Sequence, residues 1–144
     1  MRDDVRALLE THLQFAYTQS PPEDVYALGA EALVADDITF FSIREDGHVR
    51  AVGALRELDD MHAEIKSMHT AAAVRGRGLG ARMLAYLLQV ARERGYQRVS
   101  LETGTTDAFD PARRLYETAG FEKCEPFGDY RASPYSVCMT REIG

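Results

Sequence analysis

The chain has 144 residues, 45% of them apolar, enough to bury one core but not two, so a single domain spanning 1–144 is expected. Acidic side chains outnumber basic ones 23 to 17, and the net charge of -6 argues against partnership with the nucleic-acid backbone or an anionic membrane. The two cysteines, Cys124 and Cys138, lie far apart without metal-ligand spacing, and neither end carries a leader-like or spanning apolar run, so a reducing, cytoplasmic compartment is expected.

In chain order, Val5, Leu8, Leu9, Leu13 and Ala16 follow helical spacing and predict a first helix that stops before Ser20. Ser20-Pro21-Pro22-Glu23 reads as a capping box, with Pro21 where a missing N–H costs nothing and Glu23 reaching back. A second helix is therefore expected over about 23–34. From Ile38 the period shifts toward two, and 38–44, a Glu45-Asp46-Gly47 turn and 49–58 predict an antiparallel hairpin. Asp59-Asp60 makes the next turn. The third strand, 63–70, should put Ala63, Ile65 and Ser67 on one face and Glu64, Lys66 and Met68 on the other.

That strand leads into "AAAVRGRGLGARML" at 71–84, a glycine loop that runs directly into an apolar stripe of Leu84, Leu87, Leu88 and Ala91. Arg92, Arg94 and Gly95 close this helix with a cationic last turn and a stop. A strand over 97–103, a helix from Asp110-Pro111 to Gly120, and a strand pair at 121–127 and 135–141 complete the pattern. The order predicts a mixed α/β sheet with one right-handed crossover at its centre.

A glycine-rich turn at a helix N-terminus gathers unpaired N–H groups in a positive field, which suits a phosphate. A P-loop would need Lys and then Ser or Thr after the last glycine, whereas Gly80 is followed by Ala81 and Arg82. The dinucleotide fingerprint fits better, since Gly76-x-Gly78-x-x-Ala81 matches G-x-G-x-x-A and Glu102 ends the next strand where a ribose could be held. Against it stand the long spacer before Gly76, the antiparallel strands that precede it, and the short chain left after Glu102.

The third fit is Arg75-Gly76-Arg77-Gly78-Leu79-Gly80, which resembles the Q/R-x-x-G-x-G/A motif of the GCN5-related N-acetyltransferase (GNAT) family. "AEIKSM" before the loop is similar to that family's central strand, and "SLETG" and "LYETAGF" after it are similar to later elements, so the resemblance covers about 38–143. "PPEDVYALGAEAL", "GALREL" and "PFGDYRASPYSVCM" are similar to one bacterial subgroup loosely labelled indoleacetate-type acetyltransferases. The resemblance implies a mixed, mostly antiparallel sheet of about six strands with four helices. Its usual first strand is absent or truncated here, because "MRDDVRALLE" turns helical almost at once.

Activity and site residues follow as implications of that resemblance. Acetyl-CoA would be the cosubstrate, with no metal, and the acetyl group would pass to a primary amine by direct attack. Backbone N–H groups of Arg75, Gly76, Arg77, Gly78, Leu79, Gly80 and Ala81 would hold the pyrophosphate, and Met68, His69 and Thr70 would meet the pantetheine and the thioester oxygen. Phe109 stands seven residues before the family's tyrosine, where many members bind the pantetheine arm with asparagine. Glu64 is the expected general base, since an alkyl ammonium with a pKa of about 10 must lose a proton before it attacks. The alternative for Glu64 is an ion pair with Lys66.

Tyr116 matches the family's tyrosine near the coenzyme sulfur and is the expected general acid; its alternative is packing beside Ala112, Leu115 and Ala119. Arg56, Lys66 and Arg131 are candidate cations for an acceptor carboxylate, with Tyr130 in the same loop as Arg131, unless they form ordinary surface ion pairs. A small amine-bearing acid is the expected acceptor. His12, His48, His62 and His69 share no ligand spacing. An open sheet edge is compatible with a homodimer. The rival readings are an acetyl-CoA sensor without turnover and a nucleotide-dependent oxidoreductase.

Overall fold

The expected first helix is α1 (Asp3–Gln19), which carries Asp3 and Asp4 in its first turn, where carboxylates suit the helix dipole. Its buried Val5 and Leu9 rest on Val52 and Ala54 of the sheet. The computed structural model describes residues 3–19, 37–71, 75–128 and 130–144. The capping box at Ser20 and the helix expected over 23–34 lie outside the described residues.

Among the described residues six strands form one sheet: β1 (Ile38–Glu45), β2 (His48–Asp59), β3 (His62–Thr70), β4 (Arg98–Gly104), β5 (Glu122–Cys124) and β6 (Ser136–Glu142), in the order β1-β2-β3-β4-β6-β5. Among these strands β3 and β4 run parallel, joined by α2 (Leu79–Glu93), and the remaining pairs are antiparallel. A short 3₁₀ turn (Asp107–Phe109) leads into α3 (Asp110–Thr118). This is the mixed, mostly antiparallel sheet that was expected. Three α-helices are described rather than four.

Met83, Leu84, Leu87, Leu88 and Ala91 on α2 pack on Leu55, Ala63, Ile65, Val99 and Leu101. Each large apolar side chain so buried contributes about 1.5–3 kcal/mol, so this stripe anchors the crossover. The last strand pair is shorter than predicted. β5 ends at Cys124, two residues before Pro126, which lacks an N–H for a ladder.

The alternation predicted for β3 also fails partway along. Val52 and Ala54 pair with His69 and Lys66, so Ser67 and Met68 together oppose Gly53 in a β-bulge. Ser67 takes the left-handed conformation, φ 58. The extra residue moves Met68 to the face of Ala63 and Ile65, packed on the α2 side, and His69 takes its place on the face of Glu64 and Lys66. Gly53 makes room for this exchange, since a Cβ there would stand 3.0 Å from Met83 Cγ and 3.1 Å from Met68 Sδ.

Past the bulge β3 also leaves its parallel neighbour. The β3–β4 ladder runs only from His62–Arg98 to Ile65–Leu101, although both strands continue. Their carboxyl ends part, which in α/β sheets is where ligands bind.

Candidate active site

A cavity of about 830 Å³ opens where β3 and β4 separate. Residues 66–70 of β3 and 102–104 of β4 form two walls, the start of α2 forms a third, and α1 and α3 close it.

At the α2 end, Gly76 (φ 82) and Gly78 (φ 78) are left-handed, and a side chain at either would meet nothing within 4 Å. Backbone conformation rather than space therefore demands glycine. The first helical bond runs from Arg82 N to Gly78 O at 3.0 Å, so the amides of Leu79, Gly80 and Ala81, which line the cavity, precede the ladder. No acidic residue occupies the first turn of α2, and the end remains an anion site. Arg75 stands at the cavity with its Nε 3.3 Å from Thr70 O. Arg77 does not line it and lies 3.2 Å from the Glu45 carboxylate.

Met68, His69 and Thr70 line the middle, facing Phe109 and Tyr116. The Phe109 ring lies over Gly104, where a Cβ would come within 2.3 Å of it, and its centroid is 5.2 Å from that of Phe15. An aromatic ring therefore lines the cavity at that point. Tyr116 is buried, and desolvation together with the Glu102 charge raises its phenol well above the ordinary range. It is a hydroxyl donor at neutral pH.

The far end holds Lys66 and Tyr130 at the cavity and Glu64 behind them. Glu64, 2% exposed, accepts a hydrogen bond from the Tyr130 hydroxyl and lies 3.4 Å from Lys66 Nζ, which also donates to Tyr130 Oη at 2.8 Å. Burial, then the Glu64 charge, raises the Tyr130 phenol. The ion pair weighed for Glu64 is thus present, and the carboxylate does not line the cavity. Glu102 does line it and accepts from Ser136 Oγ at 2.8 Å. Of the other expected acceptor cations, Arg56 is bound to Asp37 at 3.0 Å and Arg131 is exposed; neither lines the cavity.

Two histidines that sequence spacing kept apart meet here. His12 on α1 and His69 on β3 line the cavity with their Nδ1 atoms 3.2 Å apart and their rings edge-on. Desolvation lowers both rings to about 4. The bulge that turns His69 toward α1 has no signal in residue alternation except Gly53. Cys124 and Cys138 also prove to be direct partners across β5 and β6, both as free thiols. Among the described residues no group of three or more His, Cys, Asp or Glu is placed to hold a metal, and no helix is long and apolar enough to cross a membrane.

Residues 3–121 match the acetyltransferase (GNAT) family. The chain is 46% identical to the uncharacterized N-acetyltransferase YsnE of Bacillus subtilis (strain 168), over 96% of this chain and 92% of that protein. It is 31% identical to the IAA acetyltransferase of Azospirillum brasilense, over 99% and 93%. Its fold is similar to that of a GNAT family acetyltransferase from Elizabethkingia anophelis with acetyl-CoA bound, with a TM-score of 0.60 and 15% identity, over 76% of this chain and 100% of that one. By a match that spans most of its length, the chain belongs to the GNAT family and is an N-acetyltransferase.

Proposed function

We propose that the protein transfers the acetyl group of acetyl-CoA to the primary amine of a small molecule, by direct attack within a ternary complex. The observation that carries this reading is one continuous cavity joining the amide cradle at Leu79, Gly80 and Ala81 to the ammonium of Lys66. Its volume, about 830 Å³, falls in the range of small-molecule and cofactor sites. The acetyl-CoA held by the Elizabethkingia protein on a similar fold supports the choice of donor.

In this reaction the donor diphosphate lies on the α2 amides beside Arg75, and the pantetheine runs along Met68, His69 and Thr70 against the Phe109 ring. The amine nitrogen attacks the thioester carbonyl carbon, and the carbonyl electron pair moves onto oxygen. Amides of β3 beyond Ile65, freed from β4, are the donors available to that oxyanion. Collapse breaks the C–S bond and leaves the electron pair on sulfur. Tyr116, as general acid, donates its hydrogen to that sulfur as the charge develops, and its phenolate regains a proton from solvent, to which the nitrogen's own proton is released. A thiol with a pKa near 8.5 needs only modest help to leave, so loss of the Tyr116 hydroxyl should slow turnover by about 10²-fold or less.

Glu64 acts through Tyr130 and Lys66, which stand between it and the cavity. Lys66, held toward the cavity by both, is the proposed anchor for an acceptor carboxylate, which makes a small amine-bearing acid the preferred acceptor. Arg56 and Arg131 fall outside this site.

The test compares melting temperature with saturating acetyl-CoA, with NAD and with NADP, followed by thiol release over a panel of amines. A ligand at 100 times its Kd stabilises by about 2.7 kcal/mol. A shift with acetyl-CoA and thiol release with an amine are expected. A shift with a dinucleotide alone would overturn the reading. Binding of acetyl-CoA with no thiol release for any amine would make the protein a sensor.

A further inference from the structure

Two thiols have no task in the reaction, and they are neighbours. Cys124 ends the edge strand β5 and stands directly opposite Cys138 of β6. Direct partners on antiparallel strands point to the same face, with Cα atoms about 4.5 or 5.5 Å apart according to the type of pair. A disulfide joins Cα atoms about 4.4–6.8 Å apart, so either type falls within its span. Both cysteines are free. We infer that Cys124 and Cys138 are an oxidisable pair that closes to a disulfide by exchange with a small-molecule disulfide such as oxidised glutathione.

The geometry asks for one adjustment. Cβ atoms of direct partners lie about 4.5–5.5 Å apart, whereas a disulfide holds them about 3.5–4.5 Å apart, so the two side chains must close by roughly 1 Å. β5 can supply that movement. It has three residues, lies at the edge of the sheet, and among the described residues pairs with β6 alone, while β6 is paired on both sides. Strain left in such a bond raises its reduction potential, so thiols reopen it and the modification is reversible.

The two thiols differ in access, and the difference sets the order of events. Cys124 is half-buried, and Cys138 is 5% exposed. Burial raises the Cys124 thiol, and the Arg98 guanidinium offsets part of that by favouring the thiolate. Burial raises Cys138 to about 11, although the Phe127 N–H bonds its sulfur. Cys124 is therefore the attacking group. Its thiolate attacks one sulfur of the small disulfide, whose S–S bond breaks with the electron pair leaving on the other sulfur. Cys138 then attacks the Cys124 sulfur of the mixed disulfide and expels the second small thiolate. Two protein thiols are oxidised and one small disulfide is reduced to two thiols, which take up the two protons released. The ring so formed spans 124–138 and contains Tyr130, whose hydroxyl reaches Glu64. Oxidation thus ties down the segment that brings Tyr130 to the far end of the cavity.

Intact-mass spectrometry of the full chain, incubated with oxidised glutathione at mildly alkaline pH and quenched with iodoacetamide, reads the outcome. Expected is a monomer lighter by two hydrogens, with neither cysteine alkylated and one peptide pair joining Cys124 to Cys138. A lasting glutathione adduct, two cysteines still open to alkylation, or a covalent dimer would overturn the inference. Cys138→Ser should stop at the mixed disulfide on Cys124, and Cys124→Ser should react about tenfold more slowly; equal rates would overturn the assignment of Cys124 as the attacking thiol. Closing a loop of 15 residues should raise the melting temperature of the oxidised protein by several degrees, reversibly with dithiothreitol. A lower melting temperature would show that the fold rejects the bond, and would overturn the inference equally. None of these readouts requires acetyl-CoA or an amine, so they stand apart from the proposed reaction.

Discussion

The hydroxyl of Tyr130 donates its hydrogen to Oε2 of Glu64, across 66 residues of sequence. With Lys66 Nζ on the same oxygen at 3.4 Å, the carboxylate is buried yet doubly partnered. Removing one partner of a buried pair costs about 3–5 kcal/mol, whereas replacing both with apolar or neutral groups is often tolerated. Lys66→Met should therefore destabilise strongly in urea unfolding, and Glu64→Gln combined with Lys66→Met should recover most of the loss. Simple additivity of the two substitutions would show that the groups are not coupled.

Gly104 is a packing requirement set by a residue of the following turn. Gly104→Ala would press a methyl group into the Phe109 ring, where the nearest ring atoms stand 2.3 Å away. Overpacking of this kind costs about 1–3 kcal/mol, and the displaced ring would intrude on the coenzyme's path. The variant should melt several degrees lower and bind acetyl-CoA about tenfold more weakly. Phe109→Leu should relieve much of the defect in stability; if it does not, the clash is not its origin.

At the glycine loop the constraint is conformational. Gly78 caps α2 with φ 78, and an alanine there meets no neighbour but must hold a left-handed backbone. That costs about 1–2 kcal/mol. Because the same turn aims the amides of Leu79, Gly80 and Ala81, Gly78→Ala should also weaken acetyl-CoA binding at least tenfold in calorimetry. Retained affinity would separate the cradle from the cap.

Stability should depend on pH through the histidine pair. Both rings titrate at about 4 when folded, against the usual 6.5. Between those values the unfolded chain binds more protons, so stability rises with pH there. The contribution is fully present above about 6.5 and is lost as pH falls toward 4. Melting temperatures taken across that window should fall less steeply for the double variant His12→Gln with His69→Gln than for the unaltered protein. Equal slopes would mean that the rings are not held neutral by the fold.

Period and punctuation in the sequence by themselves determined most of the scaffold and the glycine turn at one end of the cavity. Strand alternation in 38–44 and 49–58, the helical stripe from Leu84 to Ala91, and the glycines from 76 to 80 express local rules of backbone and side-chain geometry. Those rules need no knowledge of what lies across the sheet.

Only the tertiary structure decided the far end of the cavity, at Lys66 and Tyr130. One extra residue at Ser67 reverses the side-chain alternation of β3, brings His69 against His12, and packs Met68 against the edge of the core. Chain closure sets Tyr130 between Glu64 and the cavity, and pairs Arg77 with Glu45 and Arg56 with Asp37. A long charged side chain takes whichever partner the fold brings within reach, and a bulge is set by the fit of neighbouring strands. Neither has a period along the chain, which is why neither could be read there.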